Sequence, residues 1–348
     1  MVQVRAIDLG DSAERSRWDG FVREHPDGTA FHLTAWGRAI EAGCGQRPHY
    51  LVAEAAGAIT GALPLIHTRS PVFGQSLVSN AFAVYGGPLA DDDGTHAALD
   101  EAAWALAQKL GLTALEYRNR RRMRPDWPAK LDQYATFRRP LSADSEANLK
   151  AIPRKQRAEV RKSLEFGLDV RVASDARAVD EQFAVYSESV RNLGTPVFPK
   201  KLFAALLAAY GDEANVLTVS KDGAPLASVL SLYFRGEVLP YYGGGTAGAR
   251  SLRANDHMYW MLMEHARERG CTSFDFGRSK TGTGPYAFKK NWGFEPEPLA
   301  YEFRLADGAA LPEVNPLNPK YRLMVETWKR LPLPVANAVG PWIARGIG

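Results

Sequence analysis

The feature that most constrains this chain is a weak self-similarity at a separation of about 160 residues. Residues 110–118 read LGLTALEYR and residues 269–277 read RGCTSFDFG, so Gly111 aligns with Gly270, Thr113 with Thr272, Glu116 with Asp275 and Tyr117 with Phe276. Upstream, Tyr85-Gly86-Gly87 is matched by Tyr242-Gly243-Gly244. Further upstream, Gly57-Ala58 between YLVAE and LPLIH is matched by Gly223-Ala224 between VLTVS and SVLSLYF. Landmarks repeated in one order predict a duplicated domain.

Each copy reads the same way. An apolar run, a Gly turn and a second run make a hairpin. A strand then ends in YGG, and an amphipathic helix follows, with Leu99, Ala103, Leu106 and Leu110 in the first copy and Met258, Met261, Leu262 and Ala266 in the second. Gly111 and Gly270 suit the C-caps, and a short strand follows, ALEY or SFDF. The expected fold class is α+β, with a mixed, mostly antiparallel sheet flanked by helices in each copy. The expected divisions are a first domain over 1–145, a second over 146–306 and a Pro-containing amphipathic helical tail over 307–348.

Composition narrows the class. At 348 residues, 45% apolar and 24% charged, the chain is long enough for two domains and too apolar for disorder. Two cysteines, no CxxC, no HExxH and no Cys/His cluster point away from a disulfide scaffold and from metal chemistry. The first twenty residues are charged throughout, and nowhere do about 18 uncharged apolar residues run together, so the expectation is a cytoplasmic protein with neither secretory signal nor membrane span. No GxSxG elbow is present, which argues against a covalent serine intermediate. The net charge of +4 is mild, so only its clustering carries information.

Several clusters stand out. A helix is expected from about Pro153 to Glu165, stopping near Gly167, with Arg154, Arg157 and Arg161 on one face. With Lys150, Lys155 and Lys162 it opposes one acid, Glu159, and a cationic helix start suits a phosphate-bearing ligand. A solvated helix face is the plainer reading. Arg118, Arg120, Arg121, Arg122 and Arg124 follow the ALEY strand; with no RNA module nearby, a loop paired with acids is favoured over nucleic-acid contact. In DFGRSKTGTG, Asp275 ends a strand, Arg278 lies just beyond, and Gly277, Gly282 and Gly284 let backbone amides approach a ligand. Tyr286, Phe288, Lys289 and Lys290 follow closely. A kinase is excluded, because its other motifs are missing. Tyr241 and Tyr242 end a strand and line a cleft or a core, Arg191 precedes an extended loop, and Asn255 suits a helix N-cap. The tail sets Leu331, Leu333, Val335, Val339, Trp342, Ile343 and Ile347 beside Lys329, Arg330 and Arg345, a pattern suited either to an anionic membrane surface or to packing on the first domain.

YYGGGTAGAR (241–250), FDFGRSKTGTGPYAFKKNWGF (274–294), the basic helix IPRKQRAEVRK (152–162), RNLGTPVFPK (191–200) and NPLNPKYR (315–322) together resemble the FemAB-like branch of the GNAT acyltransferase superfamily. The likeness is nearest to the subgroup associated with exopolysaccharide, exosortase and PEP-CTERM systems. The resemblance implies two tandem GNAT-like domains. It also implies transfer of an acyl or aminoacyl group from an activated carrier to an amine on a sugar, peptide or lipid, in envelope or exopolysaccharide biosynthesis. The carrier is then a co-substrate, aminoacyl-tRNA or acyl-CoA, with no permanently bound cofactor. tRNA and the inner-membrane surface become candidate partners. Phe288-Lys289 resembles the Phe-Lys pair that contacts precursor phosphate in tRNA-dependent members. The usual GNAT pyrophosphate loop, Arg/Gln-x-x-Gly-x-Gly/Ala, is not matched; the nearest stretch is Arg250-Ser251-Leu252-Arg253-Ala254-Asn255.

The chemistry needs an amine that attacks an ester or thioester carbonyl and a donor for the resulting oxyanion. Lys289, Arg278 and Asp275 are the catalytic candidates, with Asp275 as a base. Arg154, Arg157, Arg161, Arg191, Tyr241, Tyr242, Gly277, Tyr286 and Phe288 are the substrate-binding candidates. The site is expected where the two domains meet, built largely from the second. A catalytically silent polysaccharide-assembly protein is the rival reading.

Overall fold

The computed structural model describes residues 2–71, 73–312 and 319–346, with side chains in the last stretch from Leu323 onward. Residues 313–318, the NPLN of the resemblance and Ile347 therefore lie outside the described residues. Two compact units emerge: Met1–Gln133 with Pro298–Val314 and Ile343–Gly348, and Tyr134–Glu297 with Asn315–Trp342.

The first unit runs β1 (Gln3–Ala6), α1 (Ser12–Glu24), α2 (Thr34–Cys44), β2 (Arg47–Ala55), β3 (Ala58–Ser70), β4 (Gly74–Ser79), β5 (Leu89–Ala90), α3 (Asp93–Lys109), β6 (Ala114–Asn119) and β7 (Ala129–Lys130). The second runs β8 (Tyr134–Pro140), α4 (Ser145–Ala151), α5 (Arg154–Leu164), β9 (Asp169–Ala173), α6 (Ala176–Leu193), α7 (Lys200–Tyr210), β10 (Ala214–Lys221), β11 (Ala224–Phe234), β12 (Glu237–Gly245), α8 (Ala254–Glu268), β13 (Ser273–Asp275), β14 (Ser279–Lys280) and α9 (Gly284–Asn291). Then come β15 (Pro296–Pro298), β16 (Ala300–Leu305), α10 (Pro319–Lys329) and α11 (Leu333–Ala344). The sheets are ordered β1-β2-β3-β4-β6-β16-β7, with β5 beside β3, and β14-β8-β13-β12-β11-β10-β9, with β15 beside β8.

The duplication is visible strand by strand. The β2–β3 hairpin turns at Ala56-Gly57 (φ 50° and 83°) and the β10–β11 hairpin at Asp222-Gly223 (φ 51° and 78°), each with both central residues left-handed as a type I′ turn requires. Each sheet contains a parallel pair, β4 with β6 (Leu77 opposite Leu115) and β12 with β13 (Val238 opposite Phe274). Both crossover helices end in the same way. Leu112 N–H reaches the Ala107 carbonyl at 2.9 Å beyond Gly111, and Cys271 N–H reaches Ala266 at 2.9 Å beyond Gly270. The apolar stripes face the sheets: Leu99 and Ala103 are buried in one unit, Met258, Leu262 and Ala266 in the other.

The YGG landmark behaves differently in the two halves. Tyr242 and Gly243 pair with Leu230 and Val229 inside β12. In the first unit β4 ends at Ser79, and Gly86 and Gly87 lie beyond it, donating both N–H groups to the Arg118 carbonyl at 3.1 and 3.2 Å. A Cβ on Gly87 would stand 1.6 Å from Asn119 Oδ1, so close packing rather than a strand end explains that glycine.

The boundaries also differ from 145/146 and 306/307. β8 pairs with β13 (Asp275 opposite Arg138), and so belongs to the second sheet. β16 pairs with β6 (Glu302 opposite Tyr117), and so belongs to the first. Local sequence carries no signal for pairing across such separations. Among the described residues no helix is long and apolar enough to cross a membrane.

Candidate active site

The DFG segment forms a turn gripped from two sides. Asp275 closes β13 with its side chain wholly buried. Its Oδ1 accepts the Gly277 N–H at 2.7 Å, an Asx-type turn, and the Thr136 hydroxyl from β8 at 3.1 Å. Gly277 takes φ 66°, which only glycine adopts without cost. Arg138 Nε lies 3.5 Å from Asp275 Oδ2 and donates to Glu237 at 2.9 Å. Burial, and then the neighbouring Asp275, push the Glu237 carboxyl above its ordinary value, while Arg138 opposes them.

Lys289 holds the other side. From α9 its amine donates to the Gly277 carbonyl at 2.8 Å and to the Arg278 carbonyl at 3.0 Å. The amine also lies 5.4 Å from the centre of the Phe137 ring. Burial drives the amine down to about 7; Arg278 adds to the fall and Asp275 resists it. Arg278 itself is half-buried, with its guanidinium 4.9 Å over the Tyr134 ring. Tyr286 meets Phe137 edge-on at 5.2 Å. Phe288 packs against Tyr259 and Trp292 in the aromatic core. The Phe-Lys pair therefore points inward: Phe288 packs, partly buried, against the core and Lys289 pins the turn.

The sequence candidates fall into three groups. Asp275, Gly277, Arg278, Tyr286, Phe288 and Lys289 form the first. The carboxylate of Asp275, the candidate base, is wholly buried and accepts from Gly277 N–H and the Thr136 hydroxyl. Arg154, Arg157 and Arg161 form the second. On α5 they line a shallow groove of about 460 Å³ with Lys162 and Glu165. The helix lacks a side-chain cap at Pro153 and has no acid in its first turn. Arg191, Tyr241 and Tyr242 form the third. Tyr242 is buried, edge-on to Tyr186, Phe198 and Phe203, with Tyr241 against it at 4.8 Å, and Arg191 donates to the Lys329 carbonyl at 3.3 Å. In this last group Tyr242 is packed among aromatic rings, and Arg191 and Tyr241 are partly buried.

Sequence reading missed Thr136 and Arg138, which lie within the expected first domain, and Glu237, an acid at a strand start with no local signal. It also missed Asp256, held by Gln156 of α5 at 2.5 Å and raised to about 6 by burial despite that bond. Its signal was an acid one turn into a helix that starts beside the basic one. Asn255 is not the N-cap; Arg253 is, in the left-handed region at φ 52°. In the arginine cluster Arg118 is buried and Arg124 partly buried, while Arg120, Arg121 and Arg122 are exposed. Arg118 pairs with Glu116 at 2.8 Å, Arg121 with Asp27 at 3.2 Å, and Arg124 binds Asp100 with Nη2 at 2.9 Å. Three of the five thus pair with acids, while Arg122 donates to the Pro125 and Trp127 carbonyls.

Residues 152–290 match the acetyltransferase (GNAT) domain family. That span holds α5, the Asp275 turn and Lys289 together. Among solved structures the chain is similar to FemX, with a TM-score of 0.66 at 16% identity, covering 86% of this chain and 96% of that one. It is also similar to a tandem GNAT protein from the clavulanic acid biosynthesis pathway, with a TM-score of 0.54 at 16% identity over 89% and 100% of the two chains. The fold is a tandem GNAT fold. Among curated proteins, the lipid II:glycine glycyltransferase of Staphylococcus aureus is 32% identical over 79 residues, 21% of this chain and 19% of that protein. The match thus spans about a fifth of the relative's length.

Within the matched span the connection from β12 to α8 is occupied by the chain's own groups. The Ala247 N–H donates to Glu188 Oε1 at 2.7 Å, and Arg253 N–H to the Arg250 carbonyl at 3.3 Å. Arg253, fourth in the Arg250–Asn255 stretch, pairs its side chain with Glu159. An acid on one amide and a paired arginine side chain leave fewer free donors at this connection.

Proposed function

We propose that the protein transfers an acyl or aminoacyl group from an activated carrier to an amine of a sugar, peptide or lipid in envelope or exopolysaccharide biosynthesis. The observation that carries this reading is the acetyltransferase domain match over 152–290, which encloses both the cationic α5 groove and the pinned Gly277–Arg278 turn. The acceptor nitrogen attacks the carbonyl carbon. A C–N bond forms, the C–O or C–S bond to the carrier breaks, and the amine proton ends on the departing hydroxyl or thiol. Arg278 is the cation offered to the oxyanion. Lys289 and Asp275 act through it by fixing the turn. The α5 arginines hold the carrier's phosphates.

Aminoacyl-tRNA is favoured as the carrier over acyl-CoA, because Glu188 and the paired Arg253 leave fewer free donors for a pyrophosphate at the connection from β12 to α8. The test is carrier deacylation by the purified protein, with charged tRNA or acyl-CoA, in the presence of amine-bearing envelope extracts. Acceptor-dependent deacylation of charged tRNA, reduced roughly a hundredfold by Arg278→Ala, is the expected result. Release of coenzyme A alone moves the donor assignment to acyl-CoA. No deacylation from either carrier, with pathway function intact in Arg278→Ala and Lys289→Ala, overturns the enzyme reading in favour of a silent assembly protein.

A further inference from the structure

α11 is apolar on two faces. Its inner face is narrow: Ala336 and Gly340 are buried, and a Cβ on Gly340 would stand 3.1 Å from the Val197 backbone nitrogen. Its outer face carries Val335, Val339 and Trp342 at helical spacing, 44%, 43% and 51% exposed. No Asp, Glu, Lys or Arg occurs between Leu331 and Ala344. α10 adds Leu323 and Met324, 72% and 51% exposed. Leu193, also exposed, ends α6, whose Arg191 holds the α10 carbonyl at Lys329. A surface helix normally turns charge outward, and this one does not. Contiguous apolar exposure of this kind marks a contact surface.

The charge around it decides what the contact is. Residues 319–348 contain Lys320, Arg322, Lys329, Arg330 and Arg345 against Glu326, an excess of four. The whole chain carries +4, so the remainder is neutral. A second copy of this surface would bring like charges together. An anionic surface with an apolar interior satisfies both halves of the pattern.

We propose that the outer face of α11, with the exposed end of α10, seats the protein on an anionic phospholipid surface. Val335, Val339 and Trp342 enter the acyl boundary while Arg330 stays among the headgroups. This contact is separate from the transfer reaction and stands or falls without it.

The test is co-sedimentation of the full chain with vesicles of phosphatidylcholine plus phosphatidylglycerol, and with phosphatidylcholine alone. Wild type is expected to bind the mixed vesicles and to lose roughly tenfold in partitioning on the neutral ones. Val339→Asp with Trp342→Asp is expected to lose roughly tenfold or more on the mixed vesicles, with the folded circular-dichroism spectrum retained because the buried face of the helix, Ala336 and Gly340, is untouched. Arg330→Glu, which leaves the apolar face intact, is expected to weaken binding to mixed vesicles and leave neutral vesicles unaffected. Absent vesicle binding by wild type, or equal binding by wild type and the double variant, overturns the proposal. So does a wild-type dimer in solution that the double variant converts to a monomer, which would make a second copy the occupant.

Discussion

The amine of Lys289 donates to the carbonyl of Gly277 across 2.8 Å, inside a site where burial has brought that amine down to about 7. The folded value lies below the ordinary value of 10.5, so between about 7 and 10.5 the unfolded chain binds a proton that the folded chain does not. Stability therefore rises with pH across that window, and the burial penalty is complete below it. Lys289→Met keeps much of the side-chain volume and removes the titration. The difference in unfolding free energy between wild type and Lys289→Met should climb toward the alkaline end, by up to about 1.4 kcal/mol per pH unit. Urea melts at several pH values measure it. Parallel curves for the two proteins would show that the amine is not depressed.

Asp275 sits on the opposite side of the same turn and takes its N–H. Asp275→Asn replaces an acceptor-only carboxylate with an amide and leaves the charge of Arg138 less compensated. Removing one partner from a buried charged network costs about 3 kcal/mol. Chemical unfolding should register that loss, and hydrogen exchange should quicken over residues 276–283. A loss below about 0.5 kcal/mol would mean that Thr136 and the backbone hold the turn without the charge.

Much of this fold was readable because duplication leaves local marks. The Gly223 turn, the Gly270 cap and the periodic face around Leu262 each follow from chemistry within a few residues. Helix α5 begins and ends within a residue of its expected limits because Pro153 and Gly167 punctuate it. What could not be read was pairing at a distance. β8 carries Thr136 and Arg138 to Asp275 from about 140 residues away, and no local pattern announces that. Tyr242 was ambiguous for another reason: an aromatic at a strand end looks alike whether it lines a cleft or fills a core. Lys289 was found as a residue, yet its inward direction depends on the Gly277 and Arg278 carbonyls, which only the folded turn brings into reach.

The α5 groove makes a prediction in salt rather than in pH. If Arg154, Arg157 and Arg161 neutralise carrier phosphates, uncharged tRNA should bind with an affinity that falls as salt rises. Each Arg→Ala change there should lower the slope of log affinity against log salt by about 0.7–0.9. Arg121→Ala, at a pair in the other unit, should leave the slope unchanged. Filter binding across a salt series reads both. Equal slopes for wild type and the triple variant would assign the groove to solvent.

The two hairpin turns supply an internal control for backbone strain. Both place a non-glycine residue in the left-handed region, Ala56 at φ 50° and Asp222 at φ 51°. Alanine has nothing to offset the clash of its Cβ there, whereas aspartate's side chain bonds locally and tolerates that region. Ala56→Gly should therefore stabilise the protein by about 0.5–1 kcal/mol, and Asp222→Gly by less, because glycine also gains freedom in the unfolded chain. Gly57→Ala should destabilise by about 1 kcal/mol or more, since it places a second Cβ in the same turn at φ 83°. Thermal midpoints of the three variants test the ordering. A destabilised Ala56→Gly would mean that the turn's strain is relieved elsewhere in the β2–β3 ladder, where the register shifts beside Glu54.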